Sequence, residues 1–462
     1  MEGPSLQASS EDSFNMTVNG GVAEEFESNG ERTKLLPPPH PLSNGTYPPD
    51  QLSLQVDSTE GDRSSKQGTI FGVYIPVVLG IMGVVVFLRL TWMVGQGGLL
   101  MALFILGLSA SVSWLTILSV CAIATNGTVK GGGVYYMISR TLGPQFGGSL
   151  GVVAYIAQVG LAAINLIGFG DAVVETFDAY GFPLTLILPI PKDWIAFIVA
   201  TITLFFCVIV CVVGASFYVK CSLLIYISII ISLLCWLVSF LFRETLFPHS
   251  VAGYTGPSSR TFVENLLPNP NADYGLVALF AIFFPAVTGI TTGANLSGDL
   301  KEPSRSIPAG TIHAFVQAVL VYIVLFSVTA ATVSRDALAV HYDMAQRIGL
   351  SYALMTLGLF ACVISGSLNG IITGSRLLQA IARDNLIPIL KPFGQGSGKN
   401  DEGRVAVLGS AVIVQILIFG KLNAIAPLVT IFCLLTYAGV NLSYFALTIS
   451  GAPNFRPSFR HS

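Results

Sequence analysis

Two stretches of this chain put backbone polar groups where an apolar interior offers nothing to bond them. Residues 283–300 read FFPAVTGITTGANLSGDL, which sets Pro285, Thr288, Gly289, Thr291, Thr292, Gly293 and Asn295 inside an otherwise apolar segment. Nearer the amino terminus, VVLGIMGVVVFLRL carries Gly80 and Gly83 at its centre. Glycine and proline at this density interrupt a helix. Within hydrocarbon, an interruption leaves N–H and C=O groups that cost on the order of several kcal/mol each until a partner is found. Amides freed at the start of a half-helix carry positive partial charge, and the opposite lip presents carbonyl oxygens. The chemistry such a pair of breaks can do is coordination of small ions by backbone, with a permeating ion as the missing partner. The plainer reading is packing, because small residues three or four apart commonly seat a neighbouring helix. Gly289 and Gly293 alone read either way. Their coincidence with Pro285, with the threonines and with a matching break in the first apolar segment favours a site, since paired interruptions in corresponding halves mark transporter binding sites.

The elements that position these breaks follow from composition. The chain has 462 residues, 53% hydrophobic and only 10% charged. Apolar segments centre on residues 72–93, 98–122, 149–175, 194–214, 220–242, 273–294, 310–332, 351–380, 404–420 and 424–449. Each is long enough to cross a hydrocarbon core of roughly 30 Å, so an all-α polytopic membrane protein of about ten spans is expected. Ten spans divide into two sets of five, and an odd-numbered repeat must be inverted relative to its partner. The expected organisation is a cytosolic, disordered tail over 1–67 rich in Ser, Gly, Asn and Pro, a first five-span repeat over 68–242, an outer loop over 243–272, a second repeat over 273–450 and a short cytosolic end over 451–462. Lys and Arg concentrate on the side that holds both termini, including Lys220, Lys301, Arg305, Arg376, Arg383 and Lys391, which places that side in the cytosol. Within the tail, ERTKLL sets Glu31 four residues before Leu35 and resembles an acidic dileucine sorting signal; a chance match is the plain alternative.

Several classes are set aside. A net charge of −2 without basic–aromatic clusters offers no nucleic-acid surface. The 7 cysteines lie in or beside apolar runs without CxxC spacing, so neither a disulfide framework nor a resident metal is expected. No Ser/His/Asp, Cys/His or paired-carboxylate arrangement supports an enzyme, and no cofactor is implied.

The blocks FLRLTWMVGQGG, ATNGTVKGGGVYYMISRTLGPQFGGSLG, GANLSGDLKEPSRSIPAGTI, RLLQAIARDNLIP and GKLNAIAPLVTIF resemble the cation-chloride cotransporter family, solute carrier family 12, over residues 67–462. SVCAIATNG and SGAPNFRPSF are most similar to its divergent branch, the cation-chloride cotransporter-interacting proteins. The resemblance implies a LeuT-type (amino acid–polyamine–organocation type) inverted-repeat fold with broken first and sixth spans. It also implies two further spans and a cytosolic domain in full-length members, so this chain reads as a fragment or short isoform.

Carried over position by position, the resemblance implies chloride at the amides of Gly83, Val84 and Val85, and again at Gly289, Ile290 and Thr291 with the phenol of Tyr437. The cation side would use Gly80, Ile81, Asn165, Pro285 and Thr288. Here the chain departs from the family, because Gly80 stands where an asparagine is usual and Asn165 where a tyrosine is usual. A sodium site would need two adjacent serines in the eighth span, and only Ser365 is present, followed by Gly366. Arg89 and Asp171 match an outer-gate pair; the alternative for Arg89 is snorkelling to the headgroups. GGGVYY reads as a tight turn before an amphipathic helix.

The leading expectation is electroneutral cotransport of chloride with a monovalent cation, K+, Na+ or ammonium, by alternating access. The alternatives are a non-transporting regulatory partner of related cotransporters, as homodimer or heteromer, and a transporter of organic cations or amino acids. The plasma membrane is the expected location, or an endolysosomal membrane if ERTKLL is used.

Overall fold

The computed structural model describes residues 25–28, 31–34, 67–126, 133–213, 215–246, 251–270, 272–397, 403–450, 457 and 459. The chain separates into two units, Met1–Lys66 and Gln67–Ser462. In the first, Glu25–Ser28 and Glu31–Lys34 pair as an antiparallel ladder with Glu25 opposite Lys34. No ordered element was expected there, so this ladder departs from the sequence reading. Leu35 and Leu36 of ERTKLL lie outside the described residues, as does most of the expected tail.

The second unit is helical. Among the described residues, eight helices are long and apolar enough to span a membrane: Ile70–Leu88, Leu90–Ala124, Pro144–Ala179, Lys192–Val213, Cys221–Phe242, Pro303–Thr332, Tyr352–Arg383 and Leu422–Ile449. The shorter apolar helices Leu276–Val287 and Arg404–Ile418 supply the sixth and ninth positions in the order read from sequence. The sixth falls short because it is broken, and the first is broken too.

Which spans form the core follows from their enclosure. The windows of the first, third and eighth spans are 72%, 67% and 78% buried, whereas the fourth is only 33%. Phe205, Ile202 and Leu224 on the fourth and fifth spans stand exposed, a face suited to lipid. The first span therefore threads an interior made by the third and eighth, a placement that no lipid-facing helix could share.

The boundary between the first two spans differs from the sequence reading. Helix resumes at Leu90 directly after the first span and runs to a kink at Gly98, where φ is +67°, before continuing to Ala124. The kink is held from outside, as the amides of Leu99 and Leu100 donate to the carbonyls of Asn265 and Leu266 at 2.8 and 3.1 Å. A Cβ at Gly98 would lie 2.2 Å from the Leu267 carbonyl oxygen. Gly98→Ala is therefore expected to destabilise the chain by ~1–3 kcal/mol, through both the left-handed backbone and the clash. Gly107, with nothing within 4 Å of an added Cβ, is the control. Thermal unfolding in detergent should show a lower midpoint for Gly98→Ala and no loss for Gly107→Ala.

Candidate functional site

The two breaks cross. In the first span, helix ends at Ile81, Met82 and Gly83 adopt non-helical conformations (ψ of 78° and −167°), and helix restarts over Val84–Leu88. In the sixth, Leu276–Phe283 tightens into a 3-10 turn over Phe284–Val287 that contains Pro285. Thr288 is then extended, Gly289 takes φ +88°, and a short helix resumes over Thr292–Asn295. A Cβ on Gly289 would lie 2.5 Å from both the carbonyl carbon and oxygen of Gly80. Glycine at 289 is needed twice over, by its left-handed backbone and by the approach of the other chain segment.

Partners for the freed backbone groups come from several spans. Tyr322, on the seventh, sets its hydroxyl 2.7 Å from the Ala286 carbonyl and 3.3 Å from that of Ile81, joining one lip of each break. The Phe283 ring packs against that phenol, 5.8 Å between centroids, and is itself backed by the Phe326 ring at 5.7 Å. Cys362 on the eighth span donates its thiol to the Met82 carbonyl. Ser113 on the second donates to Val287 O at 3.2 Å, and Thr288 donates its hydroxyl to Pro285 O at 2.7 Å. The amide donors divide unevenly. Gly83 N–H donates to Ile81 O at 2.9 Å and Val84 N–H to Asn165 Oδ1 at 2.9 Å. The amides of Gly289, Ile290 and Thr291 have no hydrogen-bond acceptor among the described residues.

A cavity at the crossing is lined by Gly80, Gly83, Val84, Val85, Asn165, Pro285 and Gly289, all expected from the sequence. Thr288, Ile290, Thr291 and Ile81 are buried but are not among its lining residues, and the Ile81 carbonyl accepts from Tyr322. Tyr437 is buried with its ring edge-on to Phe284, 6.0 Å between centroids, and its hydroxyl has no partner among the described residues. Asn165 Oδ1 accepts from Val84 N–H, which leaves that oxygen one further lone pair. Ser365 is buried with its hydroxyl 3.4 Å from that of Tyr218.

The expected contact between Arg89 and Asp171 is not made here: no ion pair joins them among the described residues. Arg89 instead donates through Nε to Asn423 Oδ1 at 3.1 Å and through a terminal nitrogen to Leu88 O at 3.2 Å. Its guanidinium lies 3.9 Å above the Tyr342 ring. A buried guanidinium needs donors satisfied and charge stabilised, and neutral oxygens with an aromatic face provide both.

Sequence reasoning missed Gln158 and Asn369, which line the cavity together with Thr292. Gln158 donates to Thr291 Oγ1 at 3.4 Å and accepts from Thr373 at 3.1 Å. Asn369 donates to Thr292 Oγ1 at 3.2 Å and to Pro76 O at 3.4 Å. The available signal was a carboxamide within an otherwise apolar span. The amphipathic helix Gly133–Leu142 starts at Gly133 with φ +49°, while the two preceding glycines of GGGVYY lie outside the described residues. Val134 N–H donates to Asn295 Oδ1 at 3.1 Å, and Tyr135 donates to the Asp384 carboxylate. Burial and then that carboxylate push the Tyr135 phenol well above its ordinary pKa.

A family model described as amino acid permease matches residues 72–462. Solute carrier family 12 member 9 of Xenopus laevis is 39% identical over 436 residues, covering 90% of this chain and 48% of that protein. The human protein of the same name is 38% identical, covering 86% and 46%. Vacuolar cation-chloride cotransporter 1 of Saccharomyces cerevisiae is 35% identical, covering 87% of this chain and 36% of that protein. The chain thus spans about half the length, or less, of these curated relatives.

Replacing Tyr322 by Phe keeps the ring packing and removes the shared hydroxyl, leaving a buried carbonyl without its donor. A loss of about 1–3 kcal/mol is expected. Thermal unfolding should register it, whereas Tyr180→Phe, at an exposed position, should change little.

Proposed function

This chain belongs to the amino acid permease family of membrane transporters, with solute carrier family 12 proteins as its relatives, and on that premise we propose that it moves chloride together with a monovalent cation, electroneutrally and by alternating access. The observation that carries the proposal is the run of amides at Gly289, Ile290 and Thr291, which have no acceptor among the described residues. Successive amides around a left-handed glycine form a concave donor set for an anion. Tyr437, buried with its ring against Phe284 and its hydroxyl without a partner among the described residues, is the added donor this reading calls for. Carbonyl and hydroxyl oxygens of Pro285 and Thr288, with the Gly80 and Ile81 carbonyls across the crossing, suit K+, Na+ or ammonium. Opposite charges at neighbouring positions offset part of each other's desolvation. Ser365 without a second serine gives sodium at a separate eighth-span position less support.

An organic cation or amino acid draws support from the carboxamides of Gln158 and Asn369, yet both are already hydrogen-bonded within the protein. A small ion fits these commitments better. Purified protein in vesicles should take up radioactive rubidium faster with chloride outside than with gluconate. Tyr437→Ala is expected to weaken the apparent chloride affinity by about tenfold or more, the loss of one hydrogen bond to a charged partner. Uptake indifferent to chloride, or to this substitution, would remove the assignment. Absence of uptake with every cation would favour a regulatory partner role instead.

A further inference from the structure

The asymmetry between the breaks has its origin in one side chain. Asn165 sits on the third span, 7% exposed, with both ends of its carboxamide committed. Oδ1 accepts from Val84 N–H at 2.9 Å, and Nδ2 donates to Leu161 O at 2.9 Å. Two glycines make the room. A Cβ on Gly83 would come 3.0 Å from Oδ1, and one on Gly366 would come 2.8 Å from Nδ2. The carboxamide is therefore wedged between the first and eighth spans, with its partially negative oxygen lying where an anion at the Val84 amide would lie. An amide has a single hydrogen, so Asn165 and an anion compete for it. The neighbouring Gly83 amide is turned inward to Ile81 O. In the sixth span no described residue accepts from the corresponding donors.

We infer that Asn165 is a resident acceptor occupying the first-span anion position, so that this chain binds one chloride, at the sixth-span break. The inference rests on the chloride reading above and specifies its stoichiometry. Gly366 belongs to the same arrangement: a serine there would collide with the carboxamide, so the missing second serine and the presence of Asn165 are one packing solution. Under electroneutrality, one anion is accompanied by one monovalent cation.

The test counts bound chloride. Radioactive chloride held at saturation by the full chain in detergent should amount to about one per chain, and to about two in Asn165→Ala, whose Val84 amide is released. Chloride dependence of rubidium uptake on the same preparations should steepen accordingly. If Asn165→Ala does not keep a cooperative unfolding transition, Asn165→Ser, which is small and polar, takes its place. Two chlorides on the unmodified chain would overturn the inference while leaving the chloride reading intact. So would one chloride on a well-folded variant. A folded chain that binds no chloride at all would overturn both, which separates the two failures.

Discussion

Every backbone polar group that leaves a helix inside a membrane must find its partner within the protein. Here that constraint is concentrated where Gly80 and Gly289 let two broken spans touch. Each break satisfies itself only in part, through Gly83 N–H to Ile81 O in the first and the Thr288 hydroxyl to Pro285 O in the sixth. The partners are single side chains from elsewhere: Tyr322 from the seventh span, Cys362 from the eighth, Ser113 from the second and Asn165 from the third. The central crossing thereby ties most of the bundle together, and the enclosure of the first, third and eighth spans is the packing that brings those side chains within reach.

This division of labour explains what the sequence disclosed. The breaks were legible at Gly80, Gly83, Pro285 and Gly289 because glycine and proline act on the chain at their own positions. The spans were legible from apolar length, with one boundary displaced: residues 90–97 are already helical before the Gly98 kink, where the carbonyls of Asn265 and Leu266 hold the chain. The partners were not legible, since each is separated from the break by a long stretch of sequence and fixed only by packing. Asn165 shows the limit most plainly. Its residue type permits either a carbonyl oxygen offered to a cation or an acceptor for a backbone amide, and only the place of Val84 decides.

A similar exchange accounts for the absent asparagine at position 80. A Cβ there would lie 2.5 Å from the Asn369 Nδ2 atom, so the eighth span fills the volume that a first-span side chain would need. Polar capacity at the crossing is retained while its source changes, from a side chain beside the break to one facing it. Position-by-position comparison registers two unrelated departures, at 80 and 165, whereas in the fold each is matched by a neighbour, Asn369 for the first and Gly366 for the second. The outer charge follows the same logic. Arg89 is accommodated by Asn423, Leu88 O and the Tyr342 face, so its charge does not require Asp171 in this conformation.

Resident side-chain partners also shape what an ion meets on arrival. A neutral hydrogen bond contributes only about 1 kcal/mol net, so the contacts that stabilise the breaks are weak enough to be exchanged. An ion that must first displace one binds more weakly by the population of the displaced state. Donors left open carry no such penalty. On the proposed function, the Gly289–Thr291 amides are the position where an anion would gain most, whereas at Val84 it would replace one acceptor with another. Selectivity at this crossing then depends less on which backbone groups are exposed than on which of them the protein has already bonded.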